Sequence, residues 1–139
     1  MNLREVTDKL GDGFVAAVDA ELLRLANEKP DFIYRLRGTS KGACSYDGPC
    51  RNIYNAELLG PECDGCIFGQ ALKRLGWNDE EELAAEMQIN SLVNYYVNGR
   101  TSALPSDNCP DYWRDIQISQ DKGHSWGLAI SILKGLDHA

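Results

Sequence analysis

The feature of this sequence that most restricts its fold is a helical spacing of apolar residues, interrupted at intervals by glycine and proline. From Leu3 to Asn27, apolar side chains recur every three or four positions, as they do along one face of an α-helix. Further stretches with this spacing end at Gly76, Gly99 and Gly123, and a last one closes the chain. The spacing predicts a mostly α fold, of the α+β type, with about five or six helices.

Polar residues just before these stretches are candidate helix caps, because their side chains accept hydrogen bonds from the first free amides of a helix. Asp12, between two glycines, predicts a break in the first stretch and a cap for its second half. Asp64, Asn78 and Ser125 precede later helices in the same way. We expect Asn78 to begin one continuous helix that reaches Val97.

One segment favours β-structure instead. Residues 31–36 are rich in β-forming side chains, residues 38–42 have the composition of a turn, and residues 43–46 suit a returning strand. We therefore expect one small β-hairpin, followed by an irregular, cysteine-rich loop. The length of 139 residues fits a single domain that spans 1–139.

Four of the five cysteines fall in this irregular region: Cys44, Cys50, Cys63 and Cys66. Zinc in structural sites prefers four tetrahedral ligands, and thiolates are among its favoured donors. Cys63 and Cys66 form a CxxC pair, which places two sulfurs on the same side of a turn. The four residues are therefore candidate zinc ligands. The alternative is that they are small buried apolar side chains, as free cysteines usually are.

Two kinds of thiol chemistry are further alternatives. Cys66 precedes a helix, and a helix N-terminus favours a thiolate, which suits a redox group. A thiol-dependent enzyme would use Cys66 as the nucleophile, His124 as the base, and Asp121 or Asp115 to orient the base. No spacing in the sequence indicates an oxyanion hole or a thioredoxin-like βαβ unit, so we assign no catalytic residue.

The charge of the chain bears on its partners. Fourteen basic and twenty-one acidic residues give a net charge of −7, which disfavours binding to nucleic acid or to an anionic membrane. The carboxylates at 79–82 fit the positive end of a helix. Most aromatic residues fit core packing, although an exposed tyrosine or tryptophan would mark a partner site. The N-terminal residues have no secretory character, so we expect a cytoplasmic protein with reduced thiols.

One basic cluster, near the predicted hairpin, permits another function. It contains Arg35, Arg37, Lys41 and Arg51. If these side chains converged, the chain could sequester a small nucleotide signal. Solvated charges at strand ends explain the same residues more simply.

The sequence resembles a group of small actinobacteriophage proteins in four segments. These are residues 31–34 (Asp-Phe-Ile-Tyr), residues 44–46 (Cys-Ser-Tyr), residues 66–76, which begin Cys-Ile-Phe-Gly-Gln-Ala-Leu, and residues 120–129, which carry Gln-Asp-x-Gly-x-x-Trp-x-x-Ala. The resemblance implies a viral or prophage origin and brings no activity with it.

Together these observations predict a small binding protein of phage or prophage type rather than an enzyme. We expect an acidic, partly aromatic surface that engages a host protein or a second copy of the chain. The cysteine-rich loop would hold a structural zinc or pack into the core.

Overall fold

The structure, a computed structural model, describes residues 1–32, 66–83, 85, 88–99 and 109–133, together with the backbone of residues 134–136. These residues form six α-helices of at least eight residues and one of a single turn. They are α1 Leu3–Leu10, α2 Phe14–Glu28, α3 Ile67–Arg74, α4 Glu80–Leu83, α5 Ile89–Tyr96, α6 Asp111–Asp121 and α7 Trp126–Leu136. The prediction of a mostly helical fold is confirmed. The predicted hairpin, beyond Phe32, and the cysteine-rich loop lie outside the described residues.

The predicted break in the first helical stretch is confirmed, but its cap is not. Helix α1 ends at Leu10, and its C-cap Gly11 has a φ of 54°, in the left-handed region that glycine tolerates best. A 3₁₀ turn, Gly11–Gly13, then leads into α2. The predicted cap Asp12 is exposed inside this turn, and the N-cap position is Gly13, which has no side-chain hydrogen bond.

Helix α2 is the centre of the packing and lies against α1, α3 and α7, while α6 packs against α5 and α7. The side chains between these helices are almost entirely apolar and closed to solvent. The largest of them are Trp77, Trp113, Trp126, Phe68, Leu3, Leu22, Leu25, Ile67, Leu72 and Ile89. Burial stabilises the fold by about 1.5–3 kcal/mol for each large aliphatic or phenylalanine side chain.

All three tryptophans are buried, and each indole N–H donates to a side-chain oxygen from another part of the chain or from the adjoining turn. The acceptors are Glu82 Oε1 for Trp77 at 2.9 Å, Asp19 Oδ1 for Trp113 at 2.8 Å and Gln120 Oε1 for Trp126 at 3.1 Å. A buried indole N–H without a partner would be costly. These three bonds therefore orient the largest side chains of the core.

In three helices, the first backbone amide donates a hydrogen bond to a side-chain oxygen of a residue distant in sequence. The amide–acceptor pairs are Leu3 with Glu82 Oε1 at 2.8 Å, Ile67 with Gln120 Oε1 at 2.8 Å and Ile89 with Gln117 Oε1 at 2.7 Å. The first amides of a helix have no partner within the helix. Because these starts are buried, the distant oxygens satisfy amides that water does not reach.

The continuous helix expected from Asn78 to Val97 is wrong: the structure contains two helices, α4 and α5. The predicted cap is also displaced by one residue, because Asp79 Oδ1 accepts the Glu82 amide at 3.0 Å. The Ile89 amide bonds to a side chain of α6 instead of continuing the backbone pattern of α4. This tertiary bond gives α5 its own start.

The last helix, α7, begins where the sequence predicts. Ser125 Oγ accepts the Leu128 amide at 3.3 Å, which confirms the predicted cap. The Gly127 amide donates to the Pro30 carbonyl at 2.9 Å, so α7 lies directly on the segment that follows α2. A Cβ atom at position 127 would stand 2.9 Å from the Pro30 oxygen. This close approach requires glycine.

Candidate functional site

Cys66 is the predicted zinc ligand that the structure describes; Cys44, Cys50 and Cys63 lie outside the described residues. It is fully buried and forms the N-cap of α3, a position expected for Asp64. Its Sγ accepts the Gly69 amide at 3.4 Å and is bonded in a disulfide. An N-cap sulfur that accepts an amide hydrogen also suits a thiolate or a metal ligand. The disulfide departs from the reduced thiols that the sequence analysis expected. A disulfide and a zinc bond are alternative states of this sulfur, so the zinc site stays a prediction for the reduced protein.

Behind Cys66, the start of α3 is fixed by Gln120. The Gln120 Oε1 atom accepts both the Ile67 amide and the Trp126 indole N–H, and the residue is fully buried. The Gln120 Nε2 atom donates to Asp121 Oδ1 at 3.1 Å. One carboxamide therefore links α3, α6 and α7 through hydrogen bonds. These bonds hold in place the start of α3, which Cys66 caps.

His124, the base of the enzyme hypothesis, closes the end of α6. Its ring Nδ1 lies 2.9 Å from Ser119 Oγ in a hydrogen bond, and its backbone amide donates to the Ser119 carbonyl at 3.2 Å. Gly123, with a φ of 90°, allows this reversal of the chain. His124 is exposed whereas Cys66 is buried, and no hydrogen bond joins the two among the described residues. The structure therefore places His124 in a helix junction.

The two carboxylates considered as partners of His124 differ from each other. Asp115 is exposed on α6. Asp121 is largely buried, and this burial raises its pKa to about 6, although the hydrogen bond from Gln120 acts in the opposite direction. Its carboxylate is bonded to the neighbouring carboxamide. The structure pairs Asp121 with Gln120 and His124 with Ser119, and neither Gln120 nor Ser119 belongs to the predicted set.

The free thiol of the described residues is Cys109, which is buried just before α6. Burial raises its pKa far above the usual range, and Asp111 adds to the effect. A thiol of this kind is a poor nucleophile at neutral pH. The basic cluster of the nucleotide hypothesis, Arg35, Arg37, Lys41 and Arg51, lies outside the described residues.

A second region, at the junction of α4 and α5, exposes the side chains that binding would use. Tyr95 is 47% exposed, and its ring packs edge-on against Tyr96, with centroids 4.9 Å apart and planes at 79°. Burial raises the pKa of Tyr96, and the negative charges of Glu81, Glu82 and Asp79 add to the effect.

Of the four consecutive carboxylates, Glu82 points inward, where it accepts the Leu3 amide and the Trp77 indole. Glu80 and Glu81 are exposed, and Asp79 is half-buried. We call the group Asp79, Glu80, Glu81, Tyr95 and Tyr96 the acidic tyrosine surface. Core packing was expected for most aromatic residues, and the exposure of Tyr95 was not predicted. The missed signal is their adjacency, because neighbouring positions on a helix point about 100° apart and only one of the two can face inward.

Comparison of the chain with protein-family models, with curated proteins and with solved structures gives no match. Among the described residues, every helix is too short or too polar to span a bilayer.

Proposed function

We propose that this chain is a small protein-binding module of phage or prophage type, and that its acidic tyrosine surface engages the partner. The observation that carries the proposal is the exposure of the Tyr95 ring, which packs against Tyr96, a tyrosine in the field of Asp79, Glu81 and Glu82. Tyrosine is enriched at interface centres, because its ring buries a large area and its hydroxyl still finds a partner.

The scaffold beneath this surface supports the proposal. Helix α5 is held by the buried side chains of Leu92 and Val93 and by the bond from its first amide to Gln117. The Tyr95 ring packs edge-on against the ring of Tyr96, which is half-buried. A binding group on a rigid helix loses little conformational freedom on association. The surface is thus prepared to bind before a partner arrives.

The partner is better explained as a host protein than as a second copy of the chain. The net charge is −7, and two acidic surfaces brought face to face repel each other. If the chain instead associates with itself, a measurement of its size in solution would reveal this. Light scattering of the purified chain at moderate ionic strength should report a monomer.

Affinity capture with matched variants tests the proposal. Tyr95→Ala removes the exposed ring, whereas Leu128→Ala removes a comparably exposed apolar side chain from α7, which is 56% exposed. We expect one protein that is captured by the original chain and by Leu128→Ala to be absent with Tyr95→Ala. Capture that depends equally on both positions, or on neither, would contradict the proposed surface.

A second candidate function, thiol chemistry or zinc binding at Cys66, is favoured by one observation, the Gly69 amide that points at the sulfur. Zinc would be held by Cys44, Cys50, Cys63 and Cys66 and would fasten the cysteine-rich loop to α3. Elemental analysis of protein purified under reducing conditions tests this, and one zinc per chain is the expected result. Absence of metal together with one rapidly labelled cysteine would favour a thiol-dependent enzyme instead.

A further inference from the structure

We infer that the disulfide at Cys66 is a redox switch with a fixed direction. A reductant attacks the other sulfur of the bond, and Cys66 leaves as a thiolate that stays in place as the N-cap of α3. The disulfide itself, the burial of Cys66 and the hydrogen bond to its sulfur lead to this inference. The switch is independent of partner binding at the acidic tyrosine surface.

The disulfide joins Cys66 to a cysteine that precedes it in the chain. Cys66 is disulfide-bonded, whereas Cys109 is free. The chain has five cysteines, so the other sulfur belongs to Cys44, Cys50 or Cys63, which lie outside the described residues. The surroundings of Cys66 therefore decide which sulfur of this bond a reductant can attack.

The Cys66 side of the bond is closed to a reductant. Cys66, Ile67 and Phe68 have no exposed surface. The Ile67 amide donates to Gln120 Oε1 at 2.8 Å, so the start of α3 is also held from the side of α6. In thiol–disulfide exchange, a thiolate must reach the sulfur that it attacks. Attack on Cys66 therefore requires α3 to open locally, whereas attack on the other sulfur leaves α3 closed.

The sulfur that leaves has a hydrogen-bond donor already in place. The Gly69 amide donates to Cys66 Sγ at 3.4 Å. A helix N-terminus favours negative charge through its free amides and its dipole. A sulfur that is stabilised as a thiolate also leaves a disulfide faster. Burial opposes the charge, but the amide needs no rearrangement to meet it, so reduction should preserve the cap and the start of α3.

The exchange balances with a dithiol as the reductant. Its first thiolate bonds to the other sulfur, the bond to Cys66 breaks, and the electron pair of that bond stays on Cys66 Sγ. Its second sulfur, as a thiolate, attacks the first and releases the other cysteine as a thiolate. The dithiol becomes a cyclic disulfide, the chain gains two electrons, and the protons of the dithiol pass to the cysteine sulfurs or to solvent.

Trapping with a monothiol tests the direction. The oxidised full chain is treated briefly with reduced glutathione, quenched at low pH, and labelled with N-ethylmaleimide in urea before peptide mapping by mass spectrometry. We expect glutathione on Cys44, Cys50 or Cys63 and maleimide on Cys66. Glutathione on Cys66 should be lower by about tenfold or more, because attack there requires local opening. The same treatment of the chain unfolded in urea should place glutathione on both sulfurs.

Two variants of α6 and a second measurement extend the test. Gln120→Met removes the acceptor of the Ile67 amide and should increase the glutathione found on Cys66. Asp115→Asn, exposed on the same helix, should leave the map unchanged. Hydrogen exchange of the original chain does not depend on whether a variant folds. After reduction by dithiothreitol, the Ile67 and Gly69 amides should stay as protected as they are in the oxidised chain.

Three results would overturn the inference. Glutathione on Cys66 of the folded original chain, in an amount equal to that on the other cysteine, would refute the direction. Loss of protection at Ile67 and Gly69 on reduction would refute the fixed cap. A bond that is reduced only when the chain is unfolded in urea would show that the disulfide is structural and is not a switch.

Discussion

The start of α3 and the acidic tyrosine surface use polar side chains in opposite ways. At α3, one buried carboxamide, Gln120, accepts the Ile67 amide and the Trp126 indole, and its own N–H group donates to Asp121. On the acidic tyrosine surface, Glu80 and Glu81 are exposed and Tyr95 is nearly half exposed. The first region is satisfied internally and holds the helices in place. The second has its charges and its ring available to another molecule.

The two regions separate the residues that stabilise the fold from those that we propose bind a partner. A buried polar group stabilises a unique arrangement only when its hydrogen bonds are complete, and its loss is costly. An exposed carboxylate at a helix start contributes little, about 0.3–1 kcal/mol. We therefore expect mutations in the two regions to separate the free energy of unfolding from partner binding.

The largest effect on stability should come from Gln120→Met, which keeps the volume and removes the acceptor. The Ile67 amide and the Trp126 indole would then be buried without a partner, at about 1–3 kcal/mol each. We expect the free energy of unfolding, measured in urea, to fall by about 2–5 kcal/mol. Asp115→Asn, exposed on the same helix, is the control and should change stability by less than about 0.5 kcal/mol. Equal losses in the two variants would contradict the proposed role of Gln120.

A somewhat smaller effect is expected from Gly127→Ala, because the new methyl group would stand 2.9 Å from the Pro30 carbonyl oxygen. Relief of this contact must move α7 away from the segment that follows α2, at a cost of about 1–3 kcal/mol. Gly13→Ala is the matched control, since a Cβ there meets nothing within 4 Å and its φ is −85°. Thermal unfolding should show a lower midpoint for the first variant and no loss for the second.

The third prediction concerns pH. The pKa of Asp121 is raised from 3.8 to about 6 in the folded chain, so the folded state binds this proton more tightly than the unfolded state. Asp121 therefore favours folding below pH 3.8, and this contribution is lost as the pH rises to about 6. Asp121→Asn should raise stability at pH 7 by about 1–2 kcal/mol and have little effect at pH 3.5. A difference between the two chains that does not change with pH would refute this assignment.

The smallest effect on stability is expected at the acidic tyrosine surface. Tyr95→Ala removes an edge-to-face contact with Tyr96, which is worth about 0.5–1.5 kcal/mol, and uncovers no buried polar group. Its unfolding midpoint in urea should therefore stay close to that of the original chain. Its partner binding should fall about tenfold or more. A large loss of stability would show that Tyr95 stabilises the fold, as Gln120 does, and would contradict its place on a binding surface.

The helices could be predicted because their signals are local. The inward residues of α7, namely Trp126, Ala129, Ile130 and Leu133, follow helical spacing, and all four are buried. Ser125 caps the same helix as predicted. Local spacing also fixed the break at residues 11–13, because two glycines there disfavour a helix interior.

The distant caps could not be predicted, because sequence spacing does not show which side chains meet in space. Glu82 reaches Leu3 across 79 positions, and Gln120 reaches Ile67 across 53. The same limit explains the incorrect continuous helix after Asn78, since a bond from α6 gives Ile89 its own helix start. Tertiary contacts override local preference at such places.

The place of the candidate surface could not be predicted from the sequence. Composition favours an acidic, partly aromatic surface but does not say which aromatic residue is exposed, because most aromatic residues fit core packing. The cysteine hypothesis rests on four residues, of which the structure describes Cys66. The pairing of Cys66 with His124 in the enzyme alternative has no support in the described contacts, because one side chain is buried and the other is exposed and bonded to Ser119.

The most direct test of the account is photo-crosslinking from a benzophenone amino acid placed at position 95 or at position 128 of the full chain, in a lysate of its native cells. Our account predicts a discrete crosslinked protein from position 95 and none from position 128. Crosslinking of the same protein from both positions, or from position 128 alone, would contradict the claim that the acidic tyrosine surface is where this chain binds.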